Sequence, residues 1–219
     1  MVILAFLWYI YLKDSDTMTT IYLIRHSKPL KVNNSLNLDN LQVQNEKQVL
    51  SIEGESIAKD KLSNNIFDGV DIIYSSNYVR TIQTAKYLAE RIGLPVNVLS
   101  SLGERKFGIT SWGQLSEDFE KKQLADLDYK IGDGESQREV RNRMYNAIMK
   151  IVEENIDKKV AVIGHSTAIT YLLGKWCTIT EDGIIFNNNM IFDNNWDYCE
   201  TFKLDFDNNE LISIENIKL

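Results

Sequence analysis

Ile21-Tyr22-Leu23-Ile24 runs directly into Arg25-His26-Ser27, and Val160-Ala161-Val162-Ile163 runs into Gly164-His165-Ser166. Each is a short unbroken apolar run closed by polar residues, the pattern of a strand buried on both faces. The chain holds only two histidines. Both therefore fall at strand ends, where open α/β sheets gather their chemistry.

Working outward, Asp71 to Ser75 and Val96 to Leu99 read as two further buried strands. Between the strands lie amphipathic stretches with apolar residues at helical spacing. These are Ser51 to Leu62, Val79 to Ile92 with Ile82, Ala85, Leu88 and Ala89, and Glu135 to Ile156 with Val140, Met144, Ala147, Ile148 and Ile151. The alternation predicts an α/β fold, a three-layer αβα sandwich with a mostly parallel sheet. Glu200 to Phe206 and Leu211 to Ile214 flank Asp207-Asn208-Asn209-Glu210, a hairpin that adds an antiparallel edge strand. The Asn-rich patches at Asn187 to Asn189 and Asn33 to Asn40 read as surface loops.

A chain of 219 residues with 44% hydrophobic content and no Pro-, Gly- or Ser-rich linker supports one domain. Its net charge of -7 argues against nucleic acid as a partner, so an anionic ligand has to meet a local positive pocket. Cys177 and Cys199 are too few for a disulfide framework and lack zinc-site spacing, which favours a reducing compartment and packing roles. Met1 to Leu12 is wholly apolar, yet a membrane-spanning helix needs about 20 such residues. The expectation is an N-terminal extension over residues 1–17, with a start at Met18 as the plainer alternative and membrane anchoring as the minor reading. Residues 18–219 then form the domain, and the expected location is cytoplasmic. The assembly considered is a homodimer.

Four segments carry chemistry when taken together. Arg25-His26 follows a strand; a guanidinium matches phosphate oxygens, and an unprotonated imidazole nitrogen can attack phosphorus. In Ser75-Ser76-Asn77-Tyr78-Val79-Arg80-Thr81, Ser76 or Asn77 is placed to cap a helix whose first turn holds Arg80. A cation is unfavourable there unless an anion is bound beside it. Leu102-Gly103-Glu104-Arg105 places a carboxyl in a loop as a candidate general acid. In Gly164-His165-Ser166 a protonated His165 would add positive charge opposite Arg25 and Arg80. Taken alone, Arg25-His26, Arg80 and Glu104 each read more readily as structural or solvated and His165 equally as a buried core residue; their joint occurrence points to a phosphoryl-binding site.

These segments resemble the signatures of the histidine phosphatase superfamily, also called the phosphoglycerate mutase-like family, from about Thr20 onward. Arg25-His26-Ser27 is similar to its Arg-His-Gly motif, and Ser76 through Ala85 matches Ser-x-x-x-Arg-Thr-x-Gln-Thr-Ala at every defined position. Glu104-Arg105, Gly134-Glu135-Ser136 with Val140 and Arg143, and Gly164-His165-Ser166 resemble its remaining signatures. The resemblance implies that His26 is the nucleophile and forms a phosphohistidine, that Arg25, Arg80 and His165 surround the phosphoryl group, and that Glu104 protonates the leaving group. Asn33 and Ser166 are further candidate phosphate contacts. No metal or other cofactor is expected, and the expected partner is a small phosphorylated metabolite.

Two departures stand out. Ser27 replaces the family's Gly, altering backbone packing or donating a hydrogen bond. The loop from Lys28 to Asn45 lacks the family's frequent Trp-Asn pair and offers Lys28, Lys31, Asn33 and Asn34 instead. The interval from Glu104 to His165 is compact beside the mutases, with Ser111-Trp112 and Phe119 to Leu127 as a short helical lid, which favours hydrolysis. A cofactor-dependent phosphoglycerate mutase is the alternative within the family, and a non-catalytic phospholigand-binding module is the alternative outside enzymology.

Overall fold

A computed structural model describes residues 18–31 and 40–219. The expected extension over residues 1–17, and Asn33 and Asn34, lie outside the described residues. In chain order the elements are β1 (Met18–Arg25), α1 (Leu41–Lys47), α2 (Ile52–Lys61), β2 (Ile72–Ser75), α3 (Val79–Ile92), β3 (Val96–Val98), α4 (Phe119–Ala125) and α5 (Gln137–Glu154). They continue as β4 (Lys159–Gly164), α6 (Ser166–Leu173), β5 (Thr178–Ile179), β6 (Ile184–Phe186), β7 (Asn189–Phe192), β8 (Thr201–Asp207) and β9 (Glu210–Ile217).

The main sheet has the order β3-β2-β4-β1-β8-β9. Strands β1 to β4 run parallel, and β8 runs antiparallel to β1 with β9 antiparallel to β8. Because side chains alternate along a strand, the apolar runs face two ways. Ile21, Leu23, Val160 and Val162 join Val140, Met144 and Ile148 of α5 and Ile169 and Leu172 of α6 in one core. Tyr22, Ile24, Ala161 and Ile163 join Ala58 of α2 and Ala85 and Leu88 of α3 in the other. Three layers result. Each fully buried Leu or Ile contributes roughly 1.5–3 kcal/mol, so these two strands tie both helical layers to the sheet and fix where β1 and β4 end.

Helix starts follow local chemistry. Ser51 accepts from Gly54 N at 2.9 Å to begin α2, and Ser136 exchanges bonds with Glu139 in a capping box that opens α5. The expected cap of α3 by Ser76 or Asn77 is corrected: the N-cap is Tyr78, with no side-chain cap bond, and the Ser76 hydroxyl instead meets Tyr78 N, the Thr81 hydroxyl and His165. The expected hairpin across Asp207 to Glu210 forms, with Asn208 at φ 54 in its turn, and its second strand runs on to Ile217, past the expected Ile214. A three-stranded sheet, β5-β6-β7, was not expected at all. Its β6–β7 turn uses Asn187 and Asn188 at φ 48 and φ 63, residues read from sequence as a plain loop. Among the described residues no helix is long and apolar enough to cross a membrane.

Candidate active site

His26 leaves the end of β1 with its backbone N donating to Gly164 O at 2.9 Å, which extends the β1–β4 pairing by one rung. Its Nδ1 lies 2.7 Å from Ser27 O. A carbonyl only accepts, so Nδ1 carries the proton and the Nε2 lone pair is left unprotonated. The ring is 7% exposed. Burial first, then the Arg80 and Arg25 charges, hold its pKa well below the ordinary 6.5, against the bond to Ser27 O that raises it.

His165 stands beside it, with ring centroids 5.2 Å apart at 65°. Arg80 Nη2 is 3.1 Å from His165 Nδ1, and since a guanidinium only donates, Nδ1 is the acceptor. Nε2–H then donates to Ser76 Oγ at 2.8 Å. Ser76 Oγ in turn donates to Thr81 Oγ1 at 2.7 Å, and Thr81 donates to Tyr78 O at 2.7 Å. This chain fixes one neutral tautomer. Burial first, then Arg80 and His26, keep the His165 pKa well below 6.5. With Nδ1 accepting from Arg80, the guanidinium groups of Arg80 and Arg25 are the fixed positive charges beside this ring.

Arg80 is 4% exposed in the first turn of α3. Its Nη1 donates to Asn45 O of α1 at 2.5 Å, and its guanidinium carbon lies 4.8 Å from the Tyr78 ring centre. Arg25 donates through Nη1 to Trp196 O at 3.0 Å and to Asp197 O at 3.2 Å. Its Nε is buried with no partner among the described residues. Burial lowers both guanidinium pKa values, and the Glu104 carboxylate, near enough to act on each, opposes that.

Glu104 Oε1 accepts from Arg105 N at 2.8 Å and from Ala168 N, in the first turn of α6, at 3.1 Å. Arg25, His26, Arg80, Glu104 and His165 thus converge. Ser166 opens α6 and lies on the wall of a neighbouring cavity of about 400 Å³, with Thr167, Thr170, Lys121 and Trp196. Asn33 lies outside the described residues.

The departure at Ser27 resolves as a hydrogen bond. Its Oγ donates to Gly54 O at 2.7 Å and its N to Thr84 Oγ1 at 3.0 Å, with the side chain wholly buried and turned into α2. Gly54 is required at that approach, since a Cβ there would lie 2.0 Å from Lys28 O. Lys28 is paired with Glu53. Trp112 is 54% exposed and packs edge-on against Phe107. Burial pushes the Cys199 thiol up to about 12 and that of Cys177 up to about 11, so neither carries a thiolate. Among the described residues no group of three or more His, Cys, Asp or Glu side chains could hold a metal ion.

Sequence reasoning missed the parts played by Ser76, Thr81 and Tyr78 around His165. The signal was present, because Ser76 and Thr81 are defined positions of the matched signature, but it carried no role.

Two guanidinium groups and two imidazoles thus lie together where β1, β2 and β4 end in an αβα sandwich. The chain belongs to the histidine phosphatase superfamily, branch 1, whose family model matches residues 21–211. Among solved structures it is similar to the mycobacterial glucosyl-3-phosphoglycerate phosphatase, with 18% identity over 91% of this chain and 97% of that one and a TM-score of 0.68. It is also similar to a phosphoserine phosphatase from Entamoeba histolytica, solved as a mutant with phosphoserine, with 18% identity, coverage of 90% and 96%, and a TM-score of 0.64. YhfR of Bacillus stearothermophilus follows, with 18% identity, coverage of 89% and 94%, and a TM-score of 0.63. At such identity the likeness is one of fold. No curated protein sequence gives a significant match.

Proposed function

We propose that the protein is a phosphomonoester hydrolase acting on a small phosphorylated metabolite through a phosphohistidine at His26. The observation that carries this reading is the hydrogen bond from His26 Nδ1 to Ser27 O, which leaves Nε2 as a nucleophile already free of its proton. An activated nucleophile normally needs an adjacent base; here burial and the nearby guanidinium charges serve instead.

In the first step the Nε2 lone pair forms a bond to phosphorus as the ester P–O bond breaks. The departing alkoxide takes a proton from the Glu104 carboxyl. In the second step water attacks the phosphorus, Glu104 accepts its proton, the P–N bond breaks, and inorganic phosphate leaves with His26 restored. Charge on the transferred oxygens is met by Arg80 and Arg25, including the buried Arg25 Nε that lacks a described protein partner. Phosphoryl transfer asks chiefly for positioning and electrostatic stabilisation, and these side chains supply both. The substrate class is supported by the names of structural relatives, phosphatases of glucosyl-3-phosphoglycerate and of phosphoserine.

The test is hydrolysis of p-nitrophenyl phosphate between about pH 5 and 7, where imidazole and carboxyl groups titrate, in the presence of a chelator and without a bisphosphorylated primer. The wild-type protein is expected to release product under these conditions. His26→Ala is expected to lose more than the roughly 10²–10³-fold typical of removing one stabilising donor. Wild-type turnover by His26→Ala would overturn the proposal.

A further inference from the structure

We infer that the Glu135–Arg143 ion pair is a positioning device that sets the Glu104 carboxyl against the leaving oxygen. The inference rests on the reading of Glu104 as proton donor. After the 3-10 turn Ser100–Leu102 the chain runs from Gly103 to Ile109 without regular structure. Backbone groups on such a stretch have no ladder to pair with and need other partners.

Arg143, on α5, and Glu135, just ahead of that helix, supply them. Arg143 Nε and Nη2 donate to the two Glu135 carboxylate oxygens at 2.8 Å each, a fork-to-fork geometry. The remaining nitrogen, Nη1, donates to Ser101 O at 2.8 Å and to Gly103 O at 3.1 Å. Glu135 Oε2 accepts from Lys106 N at 3.0 Å, and Glu135 N donates to Lys106 O at 2.8 Å. The pair therefore grips the chain on both sides of Glu104. The loop is also pressed inward: a Cβ at Gly103 would lie 3.1 Å from Ser100 O and 3.2 Å from the Tyr78 ring, and that ring touches His165 with centroids 4.6 Å apart.

A second ion pair involving α5 shows what a merely superficial one looks like. Arg138 and Asp128 have side chains 53% and 65% exposed, against 24% and 15% for Arg143 and Glu135. Neither side chain of the exposed pair is bonded to the Glu104 loop. Exposed pairs of that kind contribute little to stability.

Proton donation matters most when the leaving group is a poor one. Alkoxide departure needs it, whereas p-nitrophenolate leaves largely unaided. A general acid contributes about 10²–10⁴-fold, and misplacing a reacting group by about 1 Å costs on the order of 10²-fold. The experiment measures kcat/KM for glycerol phosphate and p-nitrophenyl phosphate on the same sample, so that the fraction of folded enzyme cancels in their ratio. Variants are Glu104→Gln, Arg143→Lys, Glu135→Gln and, as control, Arg138→Ala. Glu104→Gln is expected to lower the glycerol phosphate to p-nitrophenyl phosphate ratio by about 10² or more. Arg143→Lys, which keeps the charge but loses the fork, and Glu135→Gln should lower it by roughly 10–10². Arg138→Ala should leave it unchanged. An unchanged ratio in Arg143→Lys and Glu135→Gln, with the ratio lowered in Glu104→Gln, would overturn the positioning role alone. An unchanged ratio in Glu104→Gln would overturn the proton-donor reading and this inference with it.

Discussion

His26 and His165 sit where β1 and β4 end side by side, with Arg25 and Gly164 paired in register, whereas Glu104 sits on a stretch with no strand or helix beneath it. The floor of the site is set by backbone ladders and by two apolar cores that cannot shift without unpacking. The wall is set by side chains reaching across sequence, Arg143 to Ser101 O and Gly103 O, and Ala168 N to Glu104. In the proposed reaction, a floor built from strand ends treats the phosphoryl group in the same way for every ester. A wall built from side-chain bonds can alter how the leaving group is treated without moving the nucleophile.

The largest effect that separates the two regions is expected at Arg80. Its guanidinium is bonded to His165 Nδ1 and Asn45 O and meets the transferred phosphoryl group in the proposed reaction. Arg80→Ala should lower kcat by roughly 10²–10³-fold, equally for p-nitrophenyl phosphate and glycerol phosphate. A loss confined to one substrate would break the distinction between floor and wall.

A smaller effect tests the relay beneath His165. Ser76→Ala removes the acceptor of a buried imidazole N–H, and an unsatisfied buried donor costs about 1–3 kcal/mol. Urea unfolding should show a loss of that size, with the rates on the two substrates falling together. Unchanged stability would mean that Ser76 does not hold the ring.

The smallest effect is a pH dependence. Both rings are held below 6.5 by burial. An unfolded imidazole binds its proton near about 6.5 and the folded ones only at lower pH, so the unfolded state binds more protons in between. Their contribution to stability is therefore constant above about 6.5 and falls as pH drops below it. Ring signals in nuclear magnetic resonance spectra should show both imidazoles neutral at about pH 6. A ring titrating at or above its ordinary value would contradict the buried, neutral pair.

What was legible in the sequence follows the same division. The apolar runs of β1 and β4, the bounds of α3, and the serine that opens α2 depend on nearby residues and could be read directly. The β5–β7 sheet could not be read as easily, because its strands are two to four residues long. Yet Asn187-Asn188 between Ile184-Ile185-Phe186 and Met190-Ile191-Phe192 is the same turn signal that located the β8–β9 hairpin at Asn208-Asn209. Ser76 was read only as a cap because capping is local chemistry, while the partner that gives it its place beside the ring, His165, lies 89 residues away. The tautomer of His165 was illegible for a related reason: a neighbour that donates to Nδ1 is invisible until the fold brings Arg80 beside it. Glu135 and Arg143 stood out as residue types, but their hold on the Glu104 loop spans 29 to 42 residues.

The central claim is that His26 Nε2 receives the phosphoryl group. Its most direct test is to mix the enzyme with a radiolabelled phosphomonoester, quench rapidly in alkali, where phosphohistidine survives, and map the labelled peptide. The account predicts label on His26 at Nε2, labile to acid and lost in His26→Ala. Label on any other residue, or turnover that never labels the His26 peptide, would contradict it.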